Sequence, residues 1–252
     1  MRRFVIAPER IEGRRVTFGP EETRHLGRVL RLGPGDLVIA SDGSGHEYTV
    51  RLDIIRPLAT GTILEIARGT TESPLDITLV QGIPKGDKME TIVRVATELG
   101  VTRVMPAITA RTVVRLESSR WPARARRWHR VAAEAAKQCG RAVIPDISPP
   151  VALTAAVEGL AVALRICLWE GERQPLGDVL TGLGPQARSV AVIVGPEGGL
   201  ASEEVQWVRD RGWSVTSLGP RILRTETAGP AVLAILQATF GDLLRSSALS
   251  QK

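Results

Sequence analysis

Cysteine and histidine are scarce in this sequence, and their scarcity excludes several kinds of site. The 252 residues include two cysteines, Cys139 and Cys167, which lie far apart and lack CxxC spacing. A disulfide framework or a cysteine-based zinc site cannot be built from them, and such usage is typical of the reducing cytoplasm. The three histidines do not cluster with cysteine or acidic residues, so we predict that no metal is bound.

Long apolar runs are missing as well. No stretch of about 18 apolar residues occurs, so we expect no membrane-spanning helix. The N-terminal residues carry charge but no apolar stretch after Ala7, which argues against a secretory signal. The length nevertheless suffices for one large domain or two modest ones with a buried core. These features together predict a cytoplasmic globular protein.

Basic residues exceed acidic ones, and arginine supplies most of them. The chain has 33 Lys and Arg against 27 Asp and Glu, for a net charge of +6, and four of the 33 are lysine. Arginine presents a planar set of donors that suits phosphate and stacks on bases, which favours a nucleic-acid partner. GC-rich codon usage explains an arginine excess equally well, so the positions of the arginines carry the argument.

The hydrophobic pattern divides the chain into two domains. Residues 1–72 are predicted to form a small β-barrel domain, with strands at 37–40, 47–55 and 61–67 and a short helix near Pro20. A polar segment ending in Pro74 marks the boundary. Residues 73–252 alternate strands and helices, which predicts an α/β domain with a parallel sheet. Its strands are expected at 76–81, 103–108, 162–169, 190–194 and 215–218, and its helices at 85–99, 119–138, 202–211, capped by Ser202, and 230–244.

A glycine-rich segment, 195–199 (GPEGG), follows a buried strand and precedes a helix. Ligands bind at such strand ends in open α/β sheets. The segment lacks the spacing of a phosphate-binding loop, and Glu197 would repel a phosphate. A ligand with hydroxyls, an amine or a sulfonium would accept that carboxylate, and S-adenosylmethionine has all three. The alternative is a tight turn that needs glycine for backbone reasons alone.

A second segment, 218–228 (LGPRILRTETA), also follows a strand and concentrates charged and hydroxyl side chains in a short loop. Because it lies at the same sheet edge as the glycines, it is a candidate for catalytic groups. The alternative is a solvated connection with a salt bridge between Arg224 and Glu226.

A third segment, 111–141, is strongly basic. Nine basic residues stand against Glu117 and Glu134, with two tryptophans interleaved. Arg124, Arg127 and Arg130 are spaced to share one helical face, which predicts a surface that contacts phosphates. An ordinary solvated face with core tryptophans is the alternative.

Together these segments resemble the bacterial 16S ribosomal RNA (uracil-N3)-methyltransferases of the SPOUT superfamily. The resemblance covers nearly the whole chain and is carried by 24–32 (RHLGRVLRL), 81–90 (QGIPKGDKME), 96–101 (ATELGV), 127–128, 134–136, the GPEGG segment and 218–228. Lys137 and Cys139 depart from the pattern, where an acidic residue and a serine are expected, and Gly229-Pro230 is unusual at a helix start.

The resemblance implies a PUA-like barrel for RNA at 1–72, followed at 73–252 by a SPOUT-type knotted methyltransferase domain. It also implies a homodimer, S-adenosylmethionine as cofactor, and a uridine target in 16S rRNA of the small ribosomal subunit. Three groups of site residues are expected. The catalytic candidates are Arg224, as the partner of a developing oxyanion, Glu226, which orients Arg224 or accepts a proton, and Thr227, which fixes the loop.

The cofactor is expected where three loops meet, at Leu168, Trp169, Glu170, Gly195, Pro196, Glu197, Gly198, Gly199, Leu200, Leu218, Gly219, Arg221, Ile222 and Leu223. RNA is expected to contact Arg2, Arg3, Arg24, His25, Arg28, Arg31, Lys85, Lys88, Arg111, Arg124, Arg127 and Arg130. Two other functions remain open at this stage. One is a non-catalytic ribosome-assembly protein that only holds RNA, against which the charged groups at 197, 224 and 226 argue. The other is a nucleotide-dependent enzyme, which the missing phosphate-loop spacing disfavours.

Overall fold

The computed structural model describes residues 1–114, 120–181 and 188–244, and the chain divides into two compact units. The first comprises Met1–Glu72 with Ala133–Ile144, and the second comprises Ser73–Ala132 with Pro145–Lys252. The predicted boundary after residue 72 thus differs from this division in one segment, since residues 133–144 pack with the first unit. Across the described ranges, no helix combines the length and apolarity needed to cross a membrane.

The first unit is built on a six-stranded sheet in the order β1-β4-β5-β6-β3-β2. Strands β1 and β4 are parallel and the other neighbours antiparallel. Alternating side chains point inward and form one core that includes Phe4, Phe18, Val50 and Ile63. The strands are β1 (Arg2–Val5), β2 (Ile11–Glu12), β3 (Arg15–Thr17), β4 (Leu37–Ser41), β5 (His46–Ile54) and β6 (Thr60–Arg68).

Helix α1 (Pro20–Arg24) begins at the predicted proline and continues into a π-helical turn, His25–Val29. The sequence pattern did not predict β1, β2 or β3, because they are short and their apolar residues do not form a clear alternation. The expected strands at 37–40, 47–55 and 61–67 are present within one residue of their predicted ends.

The second unit contains a seven-stranded parallel sheet with the path β10-β8-β7-β12-β11-β13, and β9 pairs with β8. Strand β12 is central and buried on both sides, which explains its continuous apolar run. The strands are β7 (Asp76–Gly82), β8 (Arg103–Ile108), β9 (Asp146–Ile147), β10 (Val151–Ala152), β11 (Leu164–Leu168), β12 (Ser189–Val194) and β13 (Ser214–Thr216).

Helices cover this sheet through their apolar faces. Helix α2 buries Met89, Ile92, Val93 and Ala96, at the three- and four-residue spacing of one helical face, and packs against α7. The helices of this unit are α2 (Lys88–Glu98), α4 (Leu153–Glu158), α5 (Leu176–Thr181), α6 (Ser202–Arg209) and α7 (Thr225–Thr239). The residues of α3 (Trp121–Cys139) are divided between the two units after Ala132. The predicted start of α3 at residue 119 lies outside the described residues.

Predicted helix ends are wrong in three helices. Helix α2 begins at Lys88, three residues after its predicted start. Ser202 is the first helical residue and not the cap of α6; the cap is Ala201, whose N–H donates to Glu204 Oε2 at 2.9 Å. Helix α7 begins at Thr225 and not at Pro230, because the carbonyl of Arg224 accepts the N–H groups of Thr227 and Ala228, both at 2.8 Å. Pro230 therefore lies inside the helix, and α7 ends at Thr239 and not at residue 244.

Candidate active site

A cavity of about 790 Å³ lies at the carboxyl ends of three adjacent strands of the second unit, β11, β12 and β13. The chain leaves each strand through a loop that lines the cavity, and the start of α7 and one residue of α2 complete its wall. The lining residues are Lys88, Leu168, Trp169, Glu170, Glu172, Arg173, Pro175, Val194, Gly195, Pro196, Glu197, Gly199, Ser217, Leu218, Gly219, Pro220, Arg221, Ile222, Leu223, Arg224, Thr225, Glu226 and Ala228.

The glycine segment after β12 is folded so tightly that side chains would not fit. A Cβ on Gly195 would lie 2.8 Å from the carbonyl carbon of Gly199, and Gly199 itself has φ +69°. A Cβ on Gly82, at the end of β7, would lie 2.6 Å from the nitrogen of Pro196. The glycines therefore serve close backbone packing, and this packing shapes one wall of the cavity.

A buried amide connects that wall to the start of α7. Gln81 is fully buried at the end of β7, and its Nε2 donates to Thr225 Oγ1 at 2.9 Å and to the Gly82 carbonyl at 3.0 Å. Thr225 Oγ1 donates in turn to the Gly195 carbonyl at 2.7 Å. Because Arg224 and Glu226 flank Thr225, this chain of hydrogen bonds sets their positions at the cavity. Gln81 Oε1 is buried and has no hydrogen-bond partner among the described residues.

Charged side chains from three separate segments meet at the cavity. Lys88 Nζ lies 3.1 Å from Glu197 Oε1 and 3.3 Å from Glu226 Oε2. The Glu197 carboxylate also accepts the backbone N–H of Lys85, at 3.1 and 3.3 Å to its two oxygens. Glu226 Oε2 is buried and accepts no hydrogen bond from the described part of the chain.

These contacts shift two ionisation equilibria. Burial acts to raise the pKa of Glu197, but hydrogen bonds from its own N–H, from Lys88 and from the Lys85 amide outweigh burial and lower it. The hydrogen bond to Glu197 chiefly, with the negative charge of the nearby Glu226 carboxylate, outweighs burial and raises the pKa of Lys88. The group therefore carries one positive and one fixed negative charge beside the Glu226 carboxyl at neutral pH.

The structure brings together most of the predicted cofactor residues. Twelve of the fourteen line the cavity, and Gly198 and Leu200 do not. The Gly198 carbonyl accepts a hydrogen bond from Arg111 Nη1 at 2.8 Å, on another side of the loop. Leu200 is 1% exposed and packs in the hydrophobic core beneath the sheet end.

Of the three catalytic candidates, Arg224 and Glu226 line the cavity and Thr227 does not. No salt bridge joins Arg224 to Glu226; Glu226 pairs with Lys88, and the exposed Arg224 side chain has no hydrogen-bond partner in the described ranges. The loop is fixed by the buried Thr225 hydroxyl in place of Thr227. Nothing in the sequence indicates which of the two threonines holds the loop, because Thr225 and Thr227 flank the same glutamate.

The predicted RNA-contacting residues fall in both units. In the first unit, Arg2, Arg24, Arg28 and Arg31 are exposed. Arg3 forms an ion pair with Glu47, and the half-buried His25 ring packs edge-on against Phe4, at 5.8 Å between centroids.

In the second unit, Lys85, Arg111 and Arg130 are exposed and Arg124 is half-buried. Arg127 is engaged with Glu90, at 2.7 Å from Nε to Oε1, and Lys88 belongs to the cavity. Arg115 and Glu117 of the basic segment lie outside the described residues. Among described residues, no group of three or more His, Cys, Asp or Glu is arranged to hold a metal.

Comparison with known proteins gives the same domain pattern. Residues 71–237 match the family model of an RNA methyltransferase domain, and residues 18–64 match that of the RNA methyltransferase PUA domain. The chain is 35% identical over 241 residues to the ribosomal RNA small subunit methyltransferase E of Synechocystis, covering 94% of this chain and 77% of that protein. It is 31% identical to the protein of the same name from Bacillus subtilis, covering 82% of this chain and 84% of the relative.

Solved structures resemble the fold along nearly its full length. The ribosomal RNA small subunit methyltransferase E of Neisseria gonorrhoeae, bound to S-adenosylmethionine, matches with a TM-score of 0.86 and 33% identity, over 96% of this chain and 99% of that one. A methyltransferase from Legionella pneumophila with the same bound cofactor matches with a TM-score of 0.86 and 33% identity, over 96% and 98%.

Proposed function

This chain belongs to the family of the ribosomal RNA small subunit methyltransferases E, and we propose that it methylates N3 of a specific uridine in 16S rRNA of the small ribosomal subunit. The SPOUT-type α/β fold and the N-terminal PUA-like domain expected from the sequence are confirmed. The observation that carries the proposal is the cavity at the ends of β11, β12 and β13, where Arg224, Glu226 and Lys88 converge.

The cavity suits S-adenosylmethionine in size and chemistry. Its volume of about 790 Å³ falls within the range of roughly 300–1,000 Å³ found for small-molecule pockets. Leu168, Val194, Leu218 and Leu223 supply apolar walls for an adenine ring, and carboxylates such as Glu170 are acceptors for hydroxyl and amino groups. When bound, S-adenosylmethionine supplies a methyl group on a positively charged sulfur, and that methyl is the group to be transferred.

The side chains around the cavity match the needs of an N3 methylation. Uracil N3 carries a weakly acidic proton and is a poor nucleophile while it keeps it. Glu226 Oε2 is an acceptor that receives no hydrogen bond from the residues that the structure describes, so we assign it the N3 proton. Arg224 has free donors at the same wall and is assigned to the charge that develops on a uracil carbonyl oxygen.

The target RNA is proposed to contact exposed arginines of both units. Arg2, Arg24 and Arg28 in the first unit and Arg130 in the second are exposed and can pair with phosphates; Arg111 is exposed as well, although its Nη1 donates to the Gly198 carbonyl. The proposal places the protein in the cytoplasm, where bacterial ribosomal subunits are made.

We also propose a homodimer. Leu233, Leu236 and Phe240 of the final apolar stripe are buried within the second unit, whereas Leu243 and Leu244 are exposed, at 52% and 79%, and are available to a second copy. A mass near 27.2 kDa by light scattering at micromolar protein would contradict the dimer.

Identification of the product tests the proposed function. The protein is incubated with radiolabelled S-adenosylmethionine and small subunits that lack the modification, and the RNA is digested for mass spectrometry. We expect label in 3-methyluridine alone, incorporated about 10²–10³-fold more slowly with Arg224→Ala; Arg94→Ala, an exposed residue of α2 outside the cavity, is the matched control. Label in a different nucleoside would refute the N3 assignment. RNA binding without any transfer would favour the RNA-holding assembly protein instead.

A further inference from the structure

We propose that Lys88 is a positioning residue for the methylation: its ammonium holds the Glu197 and Glu226 carboxylates together and so aims Glu226 at the uracil N3 proton. The inference rests on the proposed function and deepens it. It also reassigns Lys88, which the sequence places among RNA-contacting residues and which the structure places in the cavity wall.

The geometry fits one ammonium shared by two carboxylates. Lys88 is the first residue of α2, and its Nζ lies 3.1 Å from Glu197 Oε1 and 3.3 Å from Glu226 Oε2. Its side chain is 37% exposed, against 28% for Glu197 and 20% for Glu226. Both carboxylates are thus more buried than those of a solvent-exposed salt bridge. The lysine contacts them from a separate element of the fold, helix α2.

Glu226 depends on that ammonium because its hydrogen bonding is incomplete. Among the described residues no hydrogen bond fixes Glu226 Oε2, and a base must be held within reach of the proton that it removes. The ammonium at 3.3 Å attracts that oxygen and so holds it in place. The other charged groups around the cavity are Glu170, Glu172, Arg173, Arg221 and Arg224.

Glu197 completes the arrangement by anchoring the lysine. Its carboxylate is held by the backbone N–H of Lys85, and hydrogen bonding to Lys88 contributes to its lowered pKa. When the N3–H bond breaks and Glu226 takes the proton, the electron pair of that bond stays on N3 for the new bond to the methyl carbon, and the pair of the methyl–sulfur bond would stay with sulfur, which leaves as a neutral thioether. Glu226 then becomes neutral, but Lys88 remains paired with Glu197. No unpaired charge is created in the wall during the transfer.

Rescue by the conservative variant separates positioning from a merely structural role. Single-turnover methylation is measured at pH 7 with saturating cofactor and undermethylated subunits, for the wild type, Lys88→Met, Lys88→Arg and Arg94→Met. Arg94 is the matched control, since it lies on the same helix as Lys88, is exposed and does not line the cavity. Circular dichroism and the cofactor affinity by calorimetry show that each variant is folded; Lys88→Gln replaces Lys88→Met if the latter is not.

Without the ammonium, Glu226 is no longer aimed at N3, so the rate of Lys88→Met falls by roughly 10²-fold while its cofactor affinity stays that of the wild type. Lys88→Arg, which retains a cation at this position, restores most of the rate. Arg94→Met keeps the wild-type rate, and Lys88→Met keeps the wild-type salt dependence of RNA binding.

Two results would overturn the role of Lys88. One is a loss of rate in Lys88→Met that Lys88→Arg does not restore, or that is matched by a loss of cofactor affinity. The other is a normal rate with a smaller salt dependence of RNA binding, which would return Lys88 to phosphate contact. Absence of 3-methyluridine with the wild-type protein would instead refute the proposed function.

Discussion

The two units each contain a partly buried carboxylate beside a cation, and the two differ in how completely the carboxylate is hydrogen-bonded. In the first unit, Glu72 Oε2 accepts Arg141 Nε at 3.0 Å and Nη2 at 2.8 Å, while Oε1 accepts the backbone N–H groups of Ala142 and Val143, both at 3.0 Å. In the second unit, Glu226 Oε2 faces Lys88 but accepts no hydrogen bond from the described residues.

The difference separates a structural ion pair from a reactive one. Four donors on Glu72 leave little room for a further ligand, and the pair joins residues 133–144 to the sheet of the first unit. A buried acceptor without a hydrogen bond lowers the stability of the folded protein. Because Glu226 is such an acceptor and lies beside a ligand-sized cavity, we infer that it serves the reaction and not the stability of the fold. The following variants test that distinction, from the largest expected effect to the smallest.

Glu226→Gln removes the proposed proton acceptor with little change in shape. We expect the methylation rate at pH 7 to fall by about 10²–10⁴-fold, the usual contribution of a positioned base. The loss should be smaller at alkaline pH, where uracil N3 gives up its proton to solvent. Single-turnover rates from pH 7 to 9 check this, and a loss that is constant with pH would contradict the assignment of Glu226 as base.

Arg224→Ala tests an arginine with free donors against Arg141, which is buried and bonded. We expect the rate to fall by about 10²–10³-fold, as on loss of an oxyanion donor, with cofactor affinity nearly intact. Arg224→Lys should rescue poorly, because a point charge lacks the planar set of donors. Calorimetry and initial rates measure the two quantities, and full activity of Arg224→Ala would refute this role.

Glu72→Gln tests the structural pair. Removing the charge opposite Arg141, whose side chain is 4% exposed, should lower the free energy of unfolding by roughly 3 kcal/mol, as on breaking a buried pair. Methylation per folded molecule should stay within twofold of wild type. Denaturant unfolding gives the stability; an unchanged midpoint would mean that the pair is as dispensable as a surface salt bridge.

Gln81 lies between Glu72 and Glu226 in how completely its polar atoms are hydrogen-bonded. Its amide nitrogen donates hydrogen bonds, whereas its oxygen has no partner among the described residues. Gln81→Leu removes the donor to Thr225 and should cost about 1–3 kcal/mol of stability. Because Thr225 and Gly195 line the cavity, cofactor affinity should fall as well. Thr225→Ser retains the hydroxyl and should bind normally. Thermal melts and calorimetry provide the readouts, and normal cofactor affinity in Gln81→Leu would show that the network does not shape the cavity.

The smallest effect concerns the basic face of α3. Arg130 is exposed and free, whereas Arg127 is engaged with Glu90. Arg130→Ala should therefore reduce the log–log salt slope of RNA binding by roughly 0.7–0.9, and Arg127→Ala by less. Titrations of RNA at several salt concentrations measure the slopes. Equal slopes for wild type and Arg130→Ala would identify this face as ordinary solvated helix.

The sheet edge was predictable because local patterns determine it. Apolar runs followed by glycines or polar loops mark the ends of β11, β12 and β13, and parallel strands bring such ends to one edge. The residues that line the cavity follow from this, including Glu197, Arg224 and Glu226. The resemblance of 81–90 to a known family indicated that this segment matters, but not what Lys88 contacts.

Pairing between distant side chains was not predictable. Residues 88, 197 and 226 belong to three separate elements, and no local pattern states which side chain points toward which. A salt bridge between Arg224 and Glu226 looks equally reasonable from their spacing, yet the structure pairs Glu226 with Lys88. Proline at 230 likewise suggests a helix start there, whereas hydrogen bonds to the Arg224 carbonyl begin α7 five residues earlier.

The account rests on the claim that the incompletely bonded carboxylate is the reactive one. Single-turnover methylation by Glu226→Gln and Glu72→Gln, measured together at pH 7 and at a temperature where both are folded, tests it most directly. The account predicts a rate for Glu226→Gln at least about 10²-fold below wild type and a rate for Glu72→Gln within twofold of it. Equal rates for the two variants, or a slower Glu72→Gln, would contradict it.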